Sequence, residues 1–315
     1  MKKIWKFLLI CTSLTLFAGC TNGTNTNEPE QKSENKLQIM TTLFPQYDFA
    51  KQIAGDKADV TLLLPTGVES HAYEPTPKDI LNIHASDLFI YTGENMETWV
   101  SKLLTDLDPT KTKVLDLSAN LPLHELYEND EHEEDEHAHD TTDPHVWTNP
   151  VFAKIMVEDI LQAIIEKDPE NQAFYTKNAK EYMKQLDEID AELKEVVAMG
   201  KRNKIIFAGH FALSYFAKQY GIEYMAAYPN TSSESEPSVK DIANIIEIIK
   251  REEIPVVYYE ELTDPKVATS IQEQTGAKML LLHSLHNVSK DELTQCASYV
   301  SIMKQNIENL KEGLN

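Results

Sequence analysis

The stretch Glu74-Pro-Thr-Pro-Lys-Asp-Ile-Leu-Asn-Ile83 returns as Glu236-Pro-Ser-Val-Lys-Asp-Ile-Ala-Asn-Ile245, identical at seven of ten positions. Upstream of each copy stands Phe-Ala-Lys-Gln, at Phe49 to Gln52 and again at Phe216 to Gln219, so order and spacing are both kept. Self-similarity of this kind marks an internal duplication. The competing explanation is convergence, because Glu-Pro followed by Lys-Asp-Ile is an ordinary helix start in which an early proline is tolerated.

Each half alternates short β-rich runs with helical periodicity. The expected strands are Leu37 to Leu43, Val60 to Leu64, Leu88 to Tyr91 and Val114 to Leu117 in the first half. In the second they are Ile205 to Ala208, Tyr224 to Tyr228, Val256 to Tyr259 and Met279 to Leu282. This is α/β architecture twice over. Between the halves, Asp168-Pro169-Glu170 reads as an N-cap, a first-turn proline and an acidic first turn, with Gly200 as the stop. The apolar positions Tyr175, Tyr182, Leu186, Ile189, Leu193 and Val196 form one stripe. A helix of that length spans about 45 Å, enough to brace two lobes and limit hinge opening.

The first twenty residues read as an export signal, with Lys2, Lys3 and Lys6 ahead of an apolar run from Phe7 to Phe17 that is too short to span a bilayer. Leu16-Phe-Ala-Gly-Cys20 resembles the bacterial lipobox, with Phe17 in place of the usual aliphatic residue. Cys20 is the expected lipidation site, and the polar stretch from Thr21 to Asn35 is its tether. Of three cysteines only Cys296 then remains free, so the mature chain has no intramolecular disulfide and no cysteine-rich zinc site. The formal charge of −22 becomes about −25 without the three signal lysines. So acidic a surface argues against nucleic acid and attracts cations.

Four histidines carry the chemistry. His71 follows the run Val60 to Pro65, His210 ends Ile205-Ile-Phe-Ala-Gly-His210, and His286 comes just after Met279 to Leu282. These are loops at strand ends, where open α/β sheets bind ligands. His145 lies in Asp143-Pro-His-Val-Trp-Thr-Asn-Pro150, where Asp143 is placed to orient its second ring nitrogen. Three or four imidazoles favour a borderline ion such as Zn²⁺ over Mg²⁺ or Ca²⁺. Glu69 and Glu74 flank His71 and lower the cost of bringing a cation there. The tract Glu131-His-Glu-Glu-Asp-Glu-His-Ala-His-Asp140, preceded by His124, is too polar to bury a core and is expected to be a loop with weak, exchangeable metal capture. His84, inside a helical stretch, is expected to be structural.

Together, the lipobox-like start, His71-Ala-Tyr-Glu-Pro75, the acidic His-rich loop, Asp143-Pro-His-Val-Trp147, Gly209-His-Phe-Ala212 and Glu273-Gln-Thr-Gly-Ala-Lys278 resemble the zinc-binding solute receptors, lipoproteins of bacterial ABC metal importers of the cluster A-I type. The resemblance runs from about Leu37 to Leu314. It implies two pseudo-symmetric lobes of mostly parallel sheet flanked by helices, joined by one long rigid helix, with Zn²⁺ carried in the cleft as the transported ligand. By position the family's histidine ligands fall on His71, His145 and His210, and a histidine at 210 points to zinc, since manganese receptors place carboxylates at some of these positions. The family's fourth ligand is usually Asp or Glu after the last strand, whereas His283-Ser-Leu-His286 places histidine in both registers. Leu285-His286-Asn-Val-Ser-Lys-Asp-Glu292 resembles the Leu-Glu-Gly-Leu-Ser-Lys-Glu-Glu of the Glu-bearing members, so His286 is the expected fourth ligand and His283 the alternative.

The expected organisation is a signal peptide over 1–19, a lipid-anchored tether over 20–36, an N-terminal lobe over 37–168 with the acidic His-rich loop at about 120–142, a linking helix over 169–200 and a C-terminal lobe over 201–315. The expected function is zinc capture on the outer face of the cell membrane and delivery to an ABC permease driven by a cytoplasmic ATPase, by a monomer without catalytic turnover. A lipid-anchored zinc hydrolase is the rival from another class, because three histidines with an open position also make a catalytic site. Against it stands the absence of a His-Glu-x-x-His helix or a Gly-x-Ser-x-Gly elbow. A surface adhesin on the same fold is the third reading.

Overall fold

The computed structural model describes residues 36–123, 143–228 and 237–315. Cys20 and the His-rich tract 131–140 lie outside them. The first lobe is built on four parallel strands, β1 (Leu37–Thr41), β2 (Ala58–Leu62), β3 (Leu88–Tyr91) and β4 (Lys113–Asp116), in the order β2-β1-β3-β4. Helices α1 (Phe44–Ala54), α2 (Pro77–Ala85) and α3 (Val100–Leu104) connect them. The run Leu88-Phe-Ile-Tyr91 is apolar without alternation because β3 is central and covered on both faces; all four residues are buried. A 3₁₀ turn, Val146–Thr148, then leads into α4 (Pro150–Lys167), whose first turn is capped by Asn149 Oδ1 accepting from the Val151 amide.

The chain leaves this lobe through a 3₁₀ turn, Pro169–Asn171, and α5 (Gln172–Met199), about 42 Å long. The stripe read from the sequence is the buried one: Tyr175, Ala179, Tyr182, Leu186, Ile189, Leu193 and Val196. It packs against α1 and α4 on one side and the second lobe's helices on the other. Two boundary expectations change in detail. Asp168, Pro169 and Glu170 start a 3₁₀ turn that precedes the α-helix, whose own N-cap is Asn171, and the Asp168 carboxylate accepts from the side chains of Asn171 and Tyr175. Gly200 does end the helix, but with φ −60 rather than in the left-handed region. Its lack of a side chain serves close packing: a Cβ there would lie 2.9 Å from the Arg202 carbonyl oxygen and 3.2 Å from Leu314 Cβ.

The second lobe repeats the first. Strands β5 (Lys204–Phe207), β6 (Glu223–Ala226), β7 (Val256–Tyr259) and β8 (Lys278–Leu281) are again all parallel, in the order β6-β5-β7-β8. Its helices are α6 (Ser214–Tyr220), α7 (Val239–Glu252), α8 (Lys266–Thr275), α9 (Lys290–Thr294) and the closing α10 (Tyr299–Leu314). The duplicated segments occupy equivalent places. Phe-Ala-Lys-Gln lies in α1 and in α6, each between the first two strands of its lobe, and the decamers start α2 and α7, each between the second and third. The start is also the same physically: Thr76 Oγ1 accepts from the Asp79 amide and Ser238 Oγ from the Asp241 amide.

A buried polar chain joins the lobes through α5 and α10. Asp48 of α1, 5 % exposed, accepts from Tyr182 Oη at 2.7 Å and from the Tyr299 amide at 2.9 Å, while Tyr299 Oη donates to the Trp147 carbonyl. Among the described residues no helix is long and apolar enough to cross a membrane.

Candidate metal centre

The ligand atoms of His71, His145 and His210 all lie within 4.8 Å of one another. They come from both lobes, and each is placed by a different local device.

His71 stands in the loop between β2 and α2. Glu69 folds that loop by accepting from the amides of His71 and Ala72, both at 3.0 Å. His71 is the exposed member of the group. Even so, partial burial, reinforced by repulsion from His145, lowers its pKa to about 4, so it is a neutral donor at physiological pH.

His145, 1 % exposed, enters from the 3₁₀ turn before α4. Asp143 Oδ1 accepts from its amide at 2.9 Å and from Nδ1 at 2.6 Å, which fixes the tautomer and leaves the Nε2 lone pair facing the cleft. The other oxygen of Asp143 accepts from Ser214 Oγ in α6, across the lobe boundary. His145 Nε2 and His71 Nε2 are 3.1 Å apart. Two nitrogens on one tetrahedral zinc at 2.0–2.1 Å stand about 3.3 Å apart, so this pair is already spaced as neighbouring ligands.

His210 follows β5, at the point where the strand order of the second sheet reverses. Glu260, at the end of β7, accepts from its amide at 3.3 Å. Gly209 permits that approach, since a Cβ there would sit 2.9 Å from Glu260 Oε1. Burial pushes the Glu260 carboxyl up to about 7. The matching crevice of the first lobe is filled from within. There the buried Glu97 carboxylate accepts from Thr42 Oγ1 and from the Thr92 and Gly93 amides, with burial raising it to about 7.

His286 is not drawn into the tight group of three, although its charge is felt at His71. Its Nδ1 is 2.6 Å from Ser284 Oγ and 3.1 Å from Glu261 Oε1, and its buried Nε2 has no hydrogen-bond partner among the described residues. Burial alone would lower its pKa, but the hydrogen bond and charge of Glu261 raise it on balance. Glu261 is itself held well below the usual carboxylate range; burial opposes ionisation, and His283, His286 and Ser284 outweigh it. His283 is turned away. Its Nδ1 accepts from the Leu285 amide at 2.9 Å, and its Nε2 faces Glu292 at 3.6 Å. The Asn306 carboxamide holds its backbone at both ends. The two histidines diverge because buried Leu285 between them adopts φ +66, a left-handed turn unusual for leucine.

Sequence reasoning missed Glu260, Glu261, Ser214 and Ser284. The signal available for the acidic pair was its position directly after the strand Val256-Val-Tyr-Tyr259, where a doubly wound sheet presents side chains to a ligand. His84, expected to be structural, lies in α2 and outside the centre.

Two parallel-sheet lobes on a bracing helix, with imidazoles from both converging between them, define a cleft-binding metal receptor. The chain belongs to the family described as ZnuA, "Zinc-uptake complex component A periplasmic", which it matches over residues 39–313. It is 38 % identical to the high-affinity zinc uptake system protein ZnuA of Bacillus subtilis over all of this chain and 99 % of that protein. It is 34 % identical to the zinc-binding lipoprotein AdcA of Streptococcus pneumoniae over 99 % of this chain, which spans only 61 % of AdcA. The Zn(II)-bound ZnuA-like domain of AdcA superposes with a TM-score of 0.75 at 33 % identity, covering 89 % of this chain and 99 % of that domain. The laminin-binding protein Lmb of Streptococcus agalactiae, titled a bifunctional protein with adhesin and metal transporting activity, superposes with a TM-score of 0.74 at 28 % identity, covering 89 % of this chain and all of Lmb.

Proposed function

We propose that this chain is the extracytoplasmic receptor that captures Zn²⁺ between its lobes and delivers it to an ABC permease powered by a cytoplasmic ATPase. The observation that carries the reading is the convergence of His71, His145 and His210, from both lobes, with His145 already oriented by Asp143. Neutral nitrogen donors suit zinc and leave hard oxygen-seeking cations poorly served. In this reading the lobes are 37–168 and 201–315 with 169–200 between them, the receptor works as a monomer, and Cys20 carries the lipid that keeps it at the membrane.

His286 is the proposed fourth ligand. Its Nδ1–H is directed at Ser284 and Glu261, so Nε2 is the nitrogen left to meet zinc once its proton is displaced, whereas His283 spends its Nδ1 lone pair on the Leu285 amide. Glu261 then supplies negative charge behind the imidazole, in the way outer carboxylates raise ligand basicity. Four protein ligands close a tetrahedral site and leave no place for an attacking water, so capture without turnover follows and the hydrolase alternative falls away. The test is a pair of substitutions, His283→Ala and His286→Ala, in competition with a zinc chelator. A large loss of affinity is expected in His286→Ala alone, and a loss confined to His283→Ala overturns the ligand assignment.

A further inference from the structure

The loop that carries His286 is one of the places where the two lobes are bonded to each other. The Phe44 amide donates to the His286 carbonyl at 3.3 Å and the Gly67 amide to the Val288 carbonyl at 2.9 Å. Between them Asn287, with no exposed surface, donates from Nδ2 to the carbonyls of Pro65 and Val68, both at 2.8 Å, while its Oδ1 accepts from the Val288 amide. The orientation of this carboxamide is fixed chemically, because two carbonyl acceptors require the NH₂ end. Residues 65–68 belong to the segment that carries Glu69 and His71. His71 is the exposed member of a cluster whose partners His145 and His210 are buried on fixed elements.

We infer that Asn287 is a positioning residue that latches the His71 loop of the first lobe to the His286 loop of the second, so that zinc leaves only when this latch opens. Up to Leu64 the chain leaving β2 is held by β1, through the Leu63 and Leu64 amides on the carbonyls of Thr41 and Thr42. Beyond it, the bonds that reach from Pro65, Gly67 and Val68 to the other lobe all end on Asn287 or Val288. His145 is clamped by Asp143 and the Gly209–His210 turn by Glu260. Within its own loop His71 is held by Glu69, and the side chain that ties that loop to the other lobe is Asn287. A buried asparagine with both ends satisfied is also costly to replace, since removing it strands two carbonyls. Latch and metal reinforce one another: zinc bridges His71 to the second lobe, and Asn287 holds the loop where His71 can reach it.

The inference rests on the receptor reading above. The experiment loads the wild-type chain, Asn287→Asp and Asn287→Ala with zinc, mixes each with excess chelator, and follows zinc release by stopped flow. Release about tenfold faster or more is expected in both variants, in line with other residues that support metal ligands from outside. A residue needed only for folding would lower the melting temperature of the zinc-free and zinc-loaded forms alike while leaving the release rate of the folded protein unchanged. That result overturns the latch. Hydrogen exchange in the wild type gives an arm that needs no variant to fold: zinc should slow exchange at the Gly67 amide, and equal exchange with and without zinc also overturns it. A wild type that retains no zinc defeats the receptor reading and the latch together. A wild type that retains zinc beside variants releasing it at the wild-type rate defeats the latch alone.

Discussion

Asp143 is the smallest unit on which the metal centre depends. It fixes the tautomer of His145 through Nδ1 and, through Ser214, ties that imidazole to the lobe that carries His210. Asp143→Ala should therefore weaken zinc binding about 10- to 100-fold, read by chelator competition, with zinc-independent folding retained. A second residue-scale prediction follows from protonation. His71 titrates near 4, below the value of about 6.5 for an unfolded imidazole. As pH falls the unfolded chain takes up this proton first, so His71's contribution to stability is present above about 6.5 and is lost as pH falls toward 4. Melting curves of the metal-stripped protein across that window should fall less steeply in His71→Gln than in wild type. His286 behaves in the opposite sense, its pKa being raised by Glu261. Zinc must then displace a proton from it, so zinc uptake at pH 6.5 should release protons in weakly buffered wild type and measurably fewer in His286→Ala. Equal release by both would remove His286 from the ligand set.

At the scale of elements, α2, α5 and the starts of α4 and α7 were legible, for local reasons. The α5 stripe follows from 3.6-residue periodicity alone, and the starts of α2 and α7 lie at the hydroxyl residues directly after Glu-Pro. Strand bounds read from apolar runs lie within two residues of those observed, most closely where a central strand such as β3 is buried on both faces and leaves an unbroken apolar signal. Contacts between distant elements leave no such trace. Nothing local in Tyr182 announces its bond to Asp48, and nothing near Gly313 announces that α10 lies directly on Tyr258. Both make predictions. Tyr182→Phe removes a donor from a buried carboxyl and should cost about 1–3 kcal/mol in urea denaturation. Gly313→Ala would drive a methyl into the Tyr258 ring and hydroxyl, and should cost about 1–3 kcal/mol through overpacking. Neither residue touches the cleft, so zinc affinity measured on the folded protein should be unchanged in both.

For the molecule as a whole, the duplication explains the location of the site as well as the shape. Each lobe offers the carboxyl ends of its strands; the first lobe plugs its own crevice with Glu97, and the imidazoles gather between the lobes instead. The three histidines that converge were legible in sequence, His71 and His210 from the strands that precede them and His145 from its Asp-Pro-His-Val-Trp motif, while the proposed fourth ligand was narrowed to two. The choice between His283 and His286 turns on the left-handed Leu285, a backbone feature with no signature in residue type. Because zinc joins parts of both lobes, its removal should lower the melting temperature, and restoring it at about a thousandfold over Kd should stabilise the fold by about 4 kcal/mol. The central claim is that one zinc is held between the lobes by nitrogen donors alone. X-ray absorption at the zinc edge of the chain loaded with one equivalent tests it most directly. Four nitrogen scatterers at about 2.0–2.1 Å with the outer-shell pattern of imidazole are expected, whereas a sulfur scatterer at about 2.3 Å, or a shell made mainly of oxygen, would overturn the all-nitrogen site.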